Sequence, residues 1–163
     1  MSTRVFYESK TDDKRPEIVD DDAAVRDFLV EHLALHDGIE ATAVESGAKG
    51  MQAVRAGQID LVIMDIGLPD VDGREAVRML RESGFMAPII MLTGHSMDPD
   101  VILGFESGAN DYVVKPFQFA VLLARIHAQL QQHEANKGAG QLIIRSTYLS
   151  DTKYSIYVAL KPP

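Results

Sequence analysis

The stretch LVIMDIGLPDVDG, residues 61–73, decides the fold of this chain. It opens with four consecutive apolar residues, which is typical of a strand that is covered on both faces of a parallel sheet. The apolar run stops at Asp65, and the glycine and proline that follow indicate a loop. A pattern of helical period begins at the end of the stretch. The sequence therefore predicts a buried strand, a polar loop at its carboxyl end and a helix, which is the repeating unit of α/β proteins.

The same unit recurs from residue 16 to about residue 134. Strands are predicted near 16–20, 39–44, 60–65, 87–92 and 111–115, and helices near 22–36, 47–57, 73–83, 98–107 and 117–134. Apolar faces are predicted on the first and last helices, for Val25, Phe28, Leu29 and Leu33 and for Val121, Leu122, Ile126 and Leu130. Glycines 38, 57, 84 and 108 stand where helices should end. Five such repeats predict an α/β fold with a doubly wound, five-stranded parallel sheet.

The two ends of the chain differ from this body. The predicted divisions are an N-terminal extension, the body, a linker and a C-terminal β segment, at 1–15, 16–134, 135–141 and 142–163. Residues 3–7 are a candidate strand, and residues 142–144 and 154–158 are predicted strands of a hairpin that turns at 150–153. An isolated hairpin is marginal in water. Docking on the body, joining residues 3–7 in a small sheet and pairing with another chain all stay open.

Composition narrows the class of protein. The chain has 163 residues, 46% of them hydrophobic, which suits one globular domain. It lacks cysteine, an apolar run long enough for a bilayer and a secretion signal, so a cytoplasmic location is predicted. Residues 16–134 hold 8 Lys and Arg against 20 Asp and Glu. Such an acidic body is not expected to contact nucleic acid directly, because phosphate contacts dominate that affinity.

Polar residues follow the predicted strands at four places. These are the acidic cluster 20–22, then Asp65, Thr93 and the pair Lys115-Pro116. Because the carboxyl ends of parallel strands share one edge of the sheet, and ligands bind at that edge, these side chains should meet. Carboxylates, a hydroxyl and an ammonium at one point suit a divalent cation and a phosphoryl group.

Each residue has an ordinary alternative. A lone Asp at position 65 would more often cap a turn, but with its companions it is predicted to be a nucleophile toward phosphorus. Asp20 and Asp21 are assigned to a hard cation such as Mg²⁺, and Asp22 to capping the next helix. Lys115 precedes a proline whose peptide bond can be cis and can aim the side chain.

Thr93 and the histidines complete the set of candidate side chains. Thr93 would donate a hydroxyl hydrogen bond to the phosphoryl group, although Thr-Gly turns are common. His95 is predicted to be a loop residue and not a phosphoryl acceptor. The remaining histidines, 32, 36, 127 and 133, are assigned no chemistry.

Together, the segments IVDDDAAVRDFL, LVIMDIGLPDVDG, PIIMLTGHS and GANDYVVKPF resemble the receiver domain of two-component response regulators. The similarity covers residues 16–134 and implies a flavodoxin-like fold. It implies that Asp65 accepts a phosphoryl group from a histidine kinase. Asp20, Asp21, Asp65 and the Gly67 carbonyl would then hold Mg²⁺. The chain would be a phosphoprotein of signal transduction and not an enzyme.

The resemblance also implies a switch and an output. Thr93 and Lys115 would contact the phosphoryl group, and the Tyr112 ring would turn inward as Thr93 moves. Gly67 and His95 would flank the path of the hydrolytic water, with an effect on phosphate lifetime that the sequence does not predict. The segment GANDYVVKPFQFAVLLARI looks most like the branch whose output is a winged-helix DNA-binding domain, which implies control of transcription.

That branch dimerises through its fourth helix, fifth strand and fifth helix. Asp111 and Arg125 match two residues of its interface ion pairs, whereas Val101 replaces the usual basic residue, which weakens a homodimer assignment. The residues after the linker are too few for a winged helix. A truncated chain and a receiver joined to unrelated β segments both remain open.

Two rival functions account for part of this pattern. A haloacid-dehalogenase-type phosphatase also combines an Asp nucleophile with Mg²⁺, Thr and Lys, but it needs a second Asp two residues later, where this chain has Gly67. The other rival is an interaction module whose terminal β segments add a strand to a partner sheet.

Overall fold

The computed structural model describes residues 13–36, 38–94 and 106–137, together with the backbone of 145–149 and 152–156. Within these ranges, none of the helices combines the length and apolar character that crossing a bilayer requires.

Five parallel strands form the central sheet. In chain order they are β1 (Pro16–Val19), β2 (Thr42–Val44), β3 (Leu61–Asp65), β4 (Ile89–Thr93) and β5 (Asp111–Val114). Their order across the sheet is β2-β1-β3-β4-β5, and every neighbouring pair is parallel. The sheet reverses its winding direction between β1 and β3. Ligands of open α/β sheets bind beside such a reversal, outside the carboxyl ends of the strands.

The four described helices begin and end where local chemistry requires. They are α1 (Ala23–Leu33), α2 (Gly47–Ala56), α3 (Gly73–Glu82) and α4 (Phe119–Lys137). The side chains of Asp22, Ser46 and Asp72 accept hydrogen bonds from backbone N–H groups at the starts of the first three. The predicted terminating glycines, 38, 57, 84 and 108, all have positive φ. Gly84 directly follows the C-cap residue of α3, and Gly57 ends α2 with a ψ of 168°, outside the left-handed helical region. Gly38 lies beyond the end of α1 at Leu33, so the prediction for that helix end is wrong.

Apolar side chains cover both faces of the sheet. Alternate strand residues such as Ile18 and Ile63 pack with α1 and α4, whose buried residues include Leu29 and Ile126. The opposite face packs with α3 through residues such as Val77 and with partly buried residues of α2. The predicted doubly wound, flavodoxin-like α/β fold is confirmed.

Two predicted core positions and one strand differ from expectation. Phe28 is 37% exposed and Val121 is 45% exposed, so neither lies in the buried face of its helix. Strand β2 is shorter than predicted, although Ile39 still forms a parallel bridge with Lys14. Most of the helix predicted near 98–107 lies outside the described residues. Its last two residues, 106–107, are described and are helical.

The chain ends also contain β structure. Lys14 donates its backbone N–H to Gly38 O at 2.7 Å, so pairing with the second strand segment starts before residue 16. Strands β6 (Arg145–Leu149) and β7 (Thr152–Ile156) form an antiparallel hairpin in which Leu149 pairs with Thr152. β7 begins at Thr152, inside the stretch 150–153 that was predicted to form the turn, so the predicted bounds of the turn and of the second strand are wrong. The predicted first strand of that hairpin, 142–144, and the candidate strand 3–7 lie outside the described residues.

Candidate functional site

The strand order places the predicted acidic residues together. β1 and β3 are neighbours, and Asp20 directly follows the first while Asp65 ends the second. Asp20, Asp21 and Asp65 each offer one carboxylate oxygen, and these oxygens lie within 4.8 Å of one another. Three carboxylates this close would repel one another without a compensating cation.

The backbone around the first strand fixes the position of Asp20. This residue is fully buried, and its Oδ1 accepts the Asp22 N–H at 2.9 Å. Its backbone carbonyl accepts a hydrogen bond from Arg26 Nη1 at 2.7 Å. Asp21 is exposed, while Asp22 accepts the Ala24 N–H and caps α1 as predicted. The acidic cluster therefore presents one buried and one exposed carboxylate beside Asp65.

Lys115 supplies the positive charge at this edge. Its Nζ lies 2.7 Å from Asp20 Oδ2 and 3.0 Å from Asp65 Oδ1, so one ammonium bridges the ends of two strands. The Lys115–Pro116 peptide bond is cis. The backbone N–H of Lys115 donates to Thr93 O at 2.6 Å, which joins the ends of β4 and β5.

Burial and charge shift two pKa values here. Burial raises the pKa of Asp65, and the neighbouring Asp20 charge adds to this, while the Lys115 hydrogen bond opposes it without cancelling it. Burial alone would lower the pKa of Lys115, but its hydrogen bonds to Asp20 and Asp65 raise that pKa overall. The ammonium thus stays charged beside a carboxylate that has lost part of its hydration.

The loop after Asp65 folds tightly against it. Gly67 donates its N–H to Asp65 Oδ2 at 3.0 Å, and Gly73 donates to Ile66 O at 2.8 Å. At position 73 an added Cβ would lie 2.1 Å from Asp65 O, so only glycine fits where α3 begins. The start of the helix thereby fixes the backbone of the predicted nucleophile.

Thr93 and Tyr112 lie on neighbouring strands. Thr93 ends β4 at this edge and is 3% exposed. Tyr112 lies in β5 with its residue 8% exposed, and its hydroxyl donates to Met91 Sδ at 3.6 Å. The predicted switch ring therefore lies inside, against the face of the sheet that packs with α3.

The donor set fits a hard divalent cation. Such ions take oxygen ligands, and Mg²⁺ in particular uses one or two carboxylates and keeps several waters. Asp20, Asp21 and Asp65 provide carboxylate oxygens, of which those of Asp21 are exposed to solvent. The chain has no cysteine, so it offers no thiolate ligand.

Two contributors to this site were not predicted. Asp70, in the loop after β3, accepts hydrogen bonds from Gly47 N and Ala48 N, both at 2.9 Å, at the start of α2. Arg26 lies in the first turn of α1, where the positive end of the helix dipole disfavours a basic residue. That unfavourable placement is a signal in the sequence that the arginine has another partner.

Other predicted positions lie elsewhere or outside the description. His95 and Val101 fall outside the described residues. Asp111 and Arg125 form an ion pair within the chain, with Arg125 Nη1 at 2.7 Å from Asp111 Oδ1. In this single chain they therefore satisfy each other, and a dimer that used them would need to exchange partners.

Comparison with known proteins agrees with the family that the sequence resembles. The family model described as the response regulator receiver domain matches residues 17–127. The transcriptional regulatory protein AfsQ1 of Streptomyces coelicolor is 39% identical over 149 residues, covering 89% of this chain and 65% of AfsQ1. The DNA-binding response regulator MtrA of Mycobacterium leprae is 40% identical over 118 residues, covering 72% of this chain and 51% of MtrA.

Solved structures agree with the fold. The BeF3-activated N-terminal receiver domain of Klebsiella pneumoniae RstA superposes with a TM-score of 0.68 at 34% identity, covering 73% of this chain and 100% of that one. A CheY-like receiver domain protein from Methanospirillum hungatei gives a TM-score of 0.72 at 28% identity, covering 76% and 98%. The chain spans 65% of AfsQ1 and 51% of MtrA, so both relatives extend beyond the part that is shared.

Proposed function

The chain belongs to the response regulator receiver domain family, and from that premise we propose that Asp65 accepts a phosphoryl group from a histidine kinase. Acceptance then changes the conformation around Thr93 and Tyr112, and that change controls an output. The receiver family is a signalling family, so the match excludes the phosphatase class considered as a rival.

One observation supports the assignment of Asp65 more than any other. Lys115 bridges Asp20 and Asp65 at 2.7 and 3.0 Å, at the carboxyl edge of the sheet. A capping or turn aspartate would need neither a second buried carboxylate nor an ammonium beside it. The alternative that Asp65 merely ends its strand does not account for this arrangement.

The chemistry asked of these residues is in-line transfer. A carboxylate oxygen of Asp65 forms the new P–O bond as the P–N bond to the donor imidazole breaks, and the electron pair of that bond leaves with the imidazole nitrogen. Such transfer needs little covalent help, so positioning and charge neutralisation carry the catalysis. Lys115 exchanges its Asp65 contact for a phosphoryl oxygen while it keeps its contact with Asp20.

Asp20, Asp21, Asp65 and the backbone carbonyl of Gly67 are the proposed ligands of Mg²⁺. When bound, this cation neutralises charge that accumulates on the transferring oxygens. The hydrogen bonds that hold Asp20 and Asp65 in place, from Asp22 N and Gly67 N, keep the donor atoms close before any cation arrives. The site is therefore largely preorganised.

Thr93 and Tyr112 are the proposed switch. The Thr93 hydroxyl would bind a phosphoryl oxygen, and its movement toward the site would open space beside the ring on the next strand. The buried position of Tyr112 supports an inward ring as a stable arrangement of this chain. Phosphorylation would then favour this arrangement over an outward one, as a new charge biases a two-state element.

Partners and output follow from relatives that are longer than this chain. A sensor histidine kinase is the proposed donor, and the proposed output is transcription, since AfsQ1 and MtrA are a transcriptional regulator and a DNA-binding response regulator. We place this chemistry in the cytoplasm, where kinase and DNA would be accessible. Dimerisation through the helix near 98–107, β5 and α4 remains a proposal that the internal Asp111–Arg125 pair weakens.

The proposal is tested by incubating the protein with acetyl phosphate and Mg²⁺ and measuring its intact mass. We expect one phosphate adduct, labile to hydroxylamine as an acyl phosphate should be. Asp65→Asn should abolish it, because the amide lacks the nucleophilic oxygen. Chelation of the divalent cation should suppress it in the wild-type protein.

A control variant lies in the same loop region. Asp22→Asn keeps a residue that caps helices well, and it leaves unchanged the backbone N–H that holds Asp20, so adduct formation should continue. An adduct that persists in Asp65→Asn would show that another residue is the acceptor. Loss of the adduct in both variants would point to disturbed folding of the first loop and not to chemistry.

A further inference from the structure

Arg81, near the end of α3, makes an extensive set of hydrogen bonds away from the phospho-acceptor site. Its Nε donates to Gly108 O at 2.9 Å, and its Nη1 donates to Phe85 O and Ala87 O, both at 2.7 Å. Its Nη2 donates to Asn110 Oδ1 at 2.7 Å. Four hydrogen bonds from one guanidinium thus reach two separate segments of chain.

These segments are the residues that lead into two neighbouring strands. Phe85 and Ala87 precede β4, which ends at Thr93. Gly108 and Asn110 directly precede β5, which carries Tyr112 and leads to Lys115. One side chain therefore joins the starts of the two strands whose far ends hold the hydroxyl and the ammonium of the site.

Asn110 completes the connection between the strands. Its Oδ1 accepts the Ile89 N–H at 2.8 Å as well as the Arg81 bond, and its own N–H donates to Ile89 O at 2.8 Å. The first residue of β4 is thus bonded to the residue before β5. Arg81 orients the amide that makes one of these two bonds.

The surroundings of Arg81 fix the orientation of its guanidinium and provide no charged partner among its hydrogen-bond acceptors. All four acceptors are uncharged oxygens, and burial lowers the pKa of the guanidinium from its ordinary value. The guanidinium carbon lies 5.8 Å from the centre of the Phe85 ring. At position 108, where φ is +104°, an added Cβ would lie 2.8 Å from Arg81 Cγ, so the chain passes close over the arginine stem.

We propose that Arg81 is a positioning residue for phosphoryl acceptance and switching, because it ties the starts of β4 and β5 together and so keeps Thr93, Tyr112 and Lys115 in register. This inference rests on the proposed function. Without the tie, the segment before β5 becomes free to shift, and the fraction of molecules with a competent site falls. Apparent affinity for a phosphoryl analogue falls by the same fraction.

The main variant is Arg81→Met, which keeps the apolar stem and removes every donor. We expect its apparent dissociation constant for beryllofluoride with Mg²⁺ to rise about threefold to tenfold. Acetyl phosphate should form the Asp65 adduct more slowly by a similar factor. Arg81→Lys should recover only part of this, because an ammonium cannot span acceptors that a planar fork reaches.

Two readouts separate positioning from stability. Ring signals of Tyr112 in a carbon-13-labelled protein report whether its inward arrangement is retained, and amide hydrogen exchange at Ile89 reports the bond to Asn110. Both should change in Arg81→Met before any phosphoryl group is added. Leu33→Ala is the stability control, because it removes buried methyl groups from α1 on the face of the sheet opposite to Tyr112. It should leave both readouts unchanged at a temperature where every variant is folded.

Asn110→Ala provides a second route if Arg81→Met does not fold. It removes the shared acceptor, should raise hydrogen exchange at Ile89 and should weaken beryllofluoride binding. Where both single variants fold, their combined effect should be smaller than the product of the two, since they act on one network.

The outcomes are distinguishable. If the wild-type protein forms no adduct and binds no beryllofluoride, the proposed function is wrong and the inference falls with it. If the wild-type protein reacts but Arg81→Met behaves like Leu33→Ala in every readout, only the role of Arg81 is overturned. Slower reaction together with altered Tyr112 signals, both absent from Leu33→Ala, supports the proposal.

Discussion

Glu17 is a charged residue in an otherwise apolar buried strand. It is 1% exposed, its Oε2 accepts a hydrogen bond from the Thr42 hydroxyl, and its Oε1 has no partner within the described part of the chain. Burial raises the pKa of this carboxyl, and the Thr42 bond opposes the shift only in part. A buried acceptor without a partner is costly, so this residue should destabilise the fold when it is ionised.

Glu17→Leu should therefore stabilise the protein at neutral pH, by about 1 to 3 kcal/mol if the site accommodates the new side chain. The pH dependence has a definite sign. Because the folded pKa lies above the unfolded one, wild-type stability is greatest below the unfolded pKa and falls as pH rises through the folded pKa. Urea unfolding at several pH values, compared with Glu17→Leu, should show a difference that grows with pH.

Glu17→Gln is the matched control, since it keeps the size and an acceptor for Thr42 but cannot ionise. Its stability should not show the decline that Glu17 causes. A wild-type protein whose stability relative to Glu17→Gln stays constant from about pH 4 to pH 8 would contradict a shifted carboxyl at this position.

At the scale of elements, the loop after β3 and the start of α2 are joined by Asp70. Hydrogen bonds from Ala48 N and then Gly47 N hold the pKa of this exposed carboxyl below its ordinary value. The side chain of Ser46 already caps the same helix by accepting from Lys49 N. Asp70 thus adds acceptors for two further N–H groups of the first turn and fixes the loop that contains Gly67.

Asp70→Ala should lower the free energy of unfolding by about 1 kcal/mol, the usual effect of losing a cap. Its lowered pKa means that the contribution is present above the unfolded pKa and is lost as pH falls through the folded pKa. Urea unfolding should therefore show a gap between wild type and variant at neutral pH that narrows in acid. Amide exchange at Gly47 and Ala48 should also quicken.

Asp70→Asn retains an oxygen acceptor, so its free energy of unfolding should lie between those of the wild type and Asp70→Ala. Equal stability of wild type and Asp70→Ala at neutral pH would show that water satisfies these N–H groups equally well.

The sequence predicts these elements well where pattern and chemistry are local. The apolar run 61–64 identified β3, and Gly57 and Gly84 identified the ends of α2 and α3, because periodicity and backbone freedom act within a few residues. The exposed positions of Phe28 and Val121 were not predicted. Apolar periodicity marks a helical face, but packing of the neighbouring helix decides which edge of that face stays in water.

The site shows the same division between local and distant information. Asp20, Asp65, Thr93 and Lys115 were predicted to meet because each follows a strand, and a parallel sheet brings such positions to one edge. Asp70 was not predicted, since it binds backbone N–H groups of a helix that lies earlier in the chain. Its partners have no side-chain signature, so no spacing in the sequence indicates the contact.

At the scale of the whole molecule, the parallel sheet is flanked by terminal segments that contain β structure. Lys14 pairs with the second strand segment, and its Nζ lies 3.0 Å from Glu134 Oε1 near the end of α4, so it belongs to the receiver body. The hairpin of β6 and β7 forms its own two-stranded sheet. A function in strand pairing would depend on such terminal segments and not on Asp65.

Removal of residues 1–12 and 140–163 separates the two functions. The shortened chain keeps Lys14 and the whole parallel sheet, so we expect it to fold and to form the Asp65 adduct at the wild-type rate. Intact-mass kinetics with acetyl phosphate provides the measurement. An adduct that disappears although circular dichroism shows a folded protein would mean that the terminal segments take part in phosphoryl acceptance.

The contacts of Arg81 also bear on how this family would diverge. Three of its four acceptors are peptide oxygens, at positions 85, 87 and 108, and every amino acid carries such an oxygen. Substitutions at positions 85 and 87 would leave those hydrogen bonds intact. Pairwise covariation between these positions and position 81 would therefore not reveal the bonds. Only a persistent arginine, and an amide at position 110, would mark the tie in an alignment.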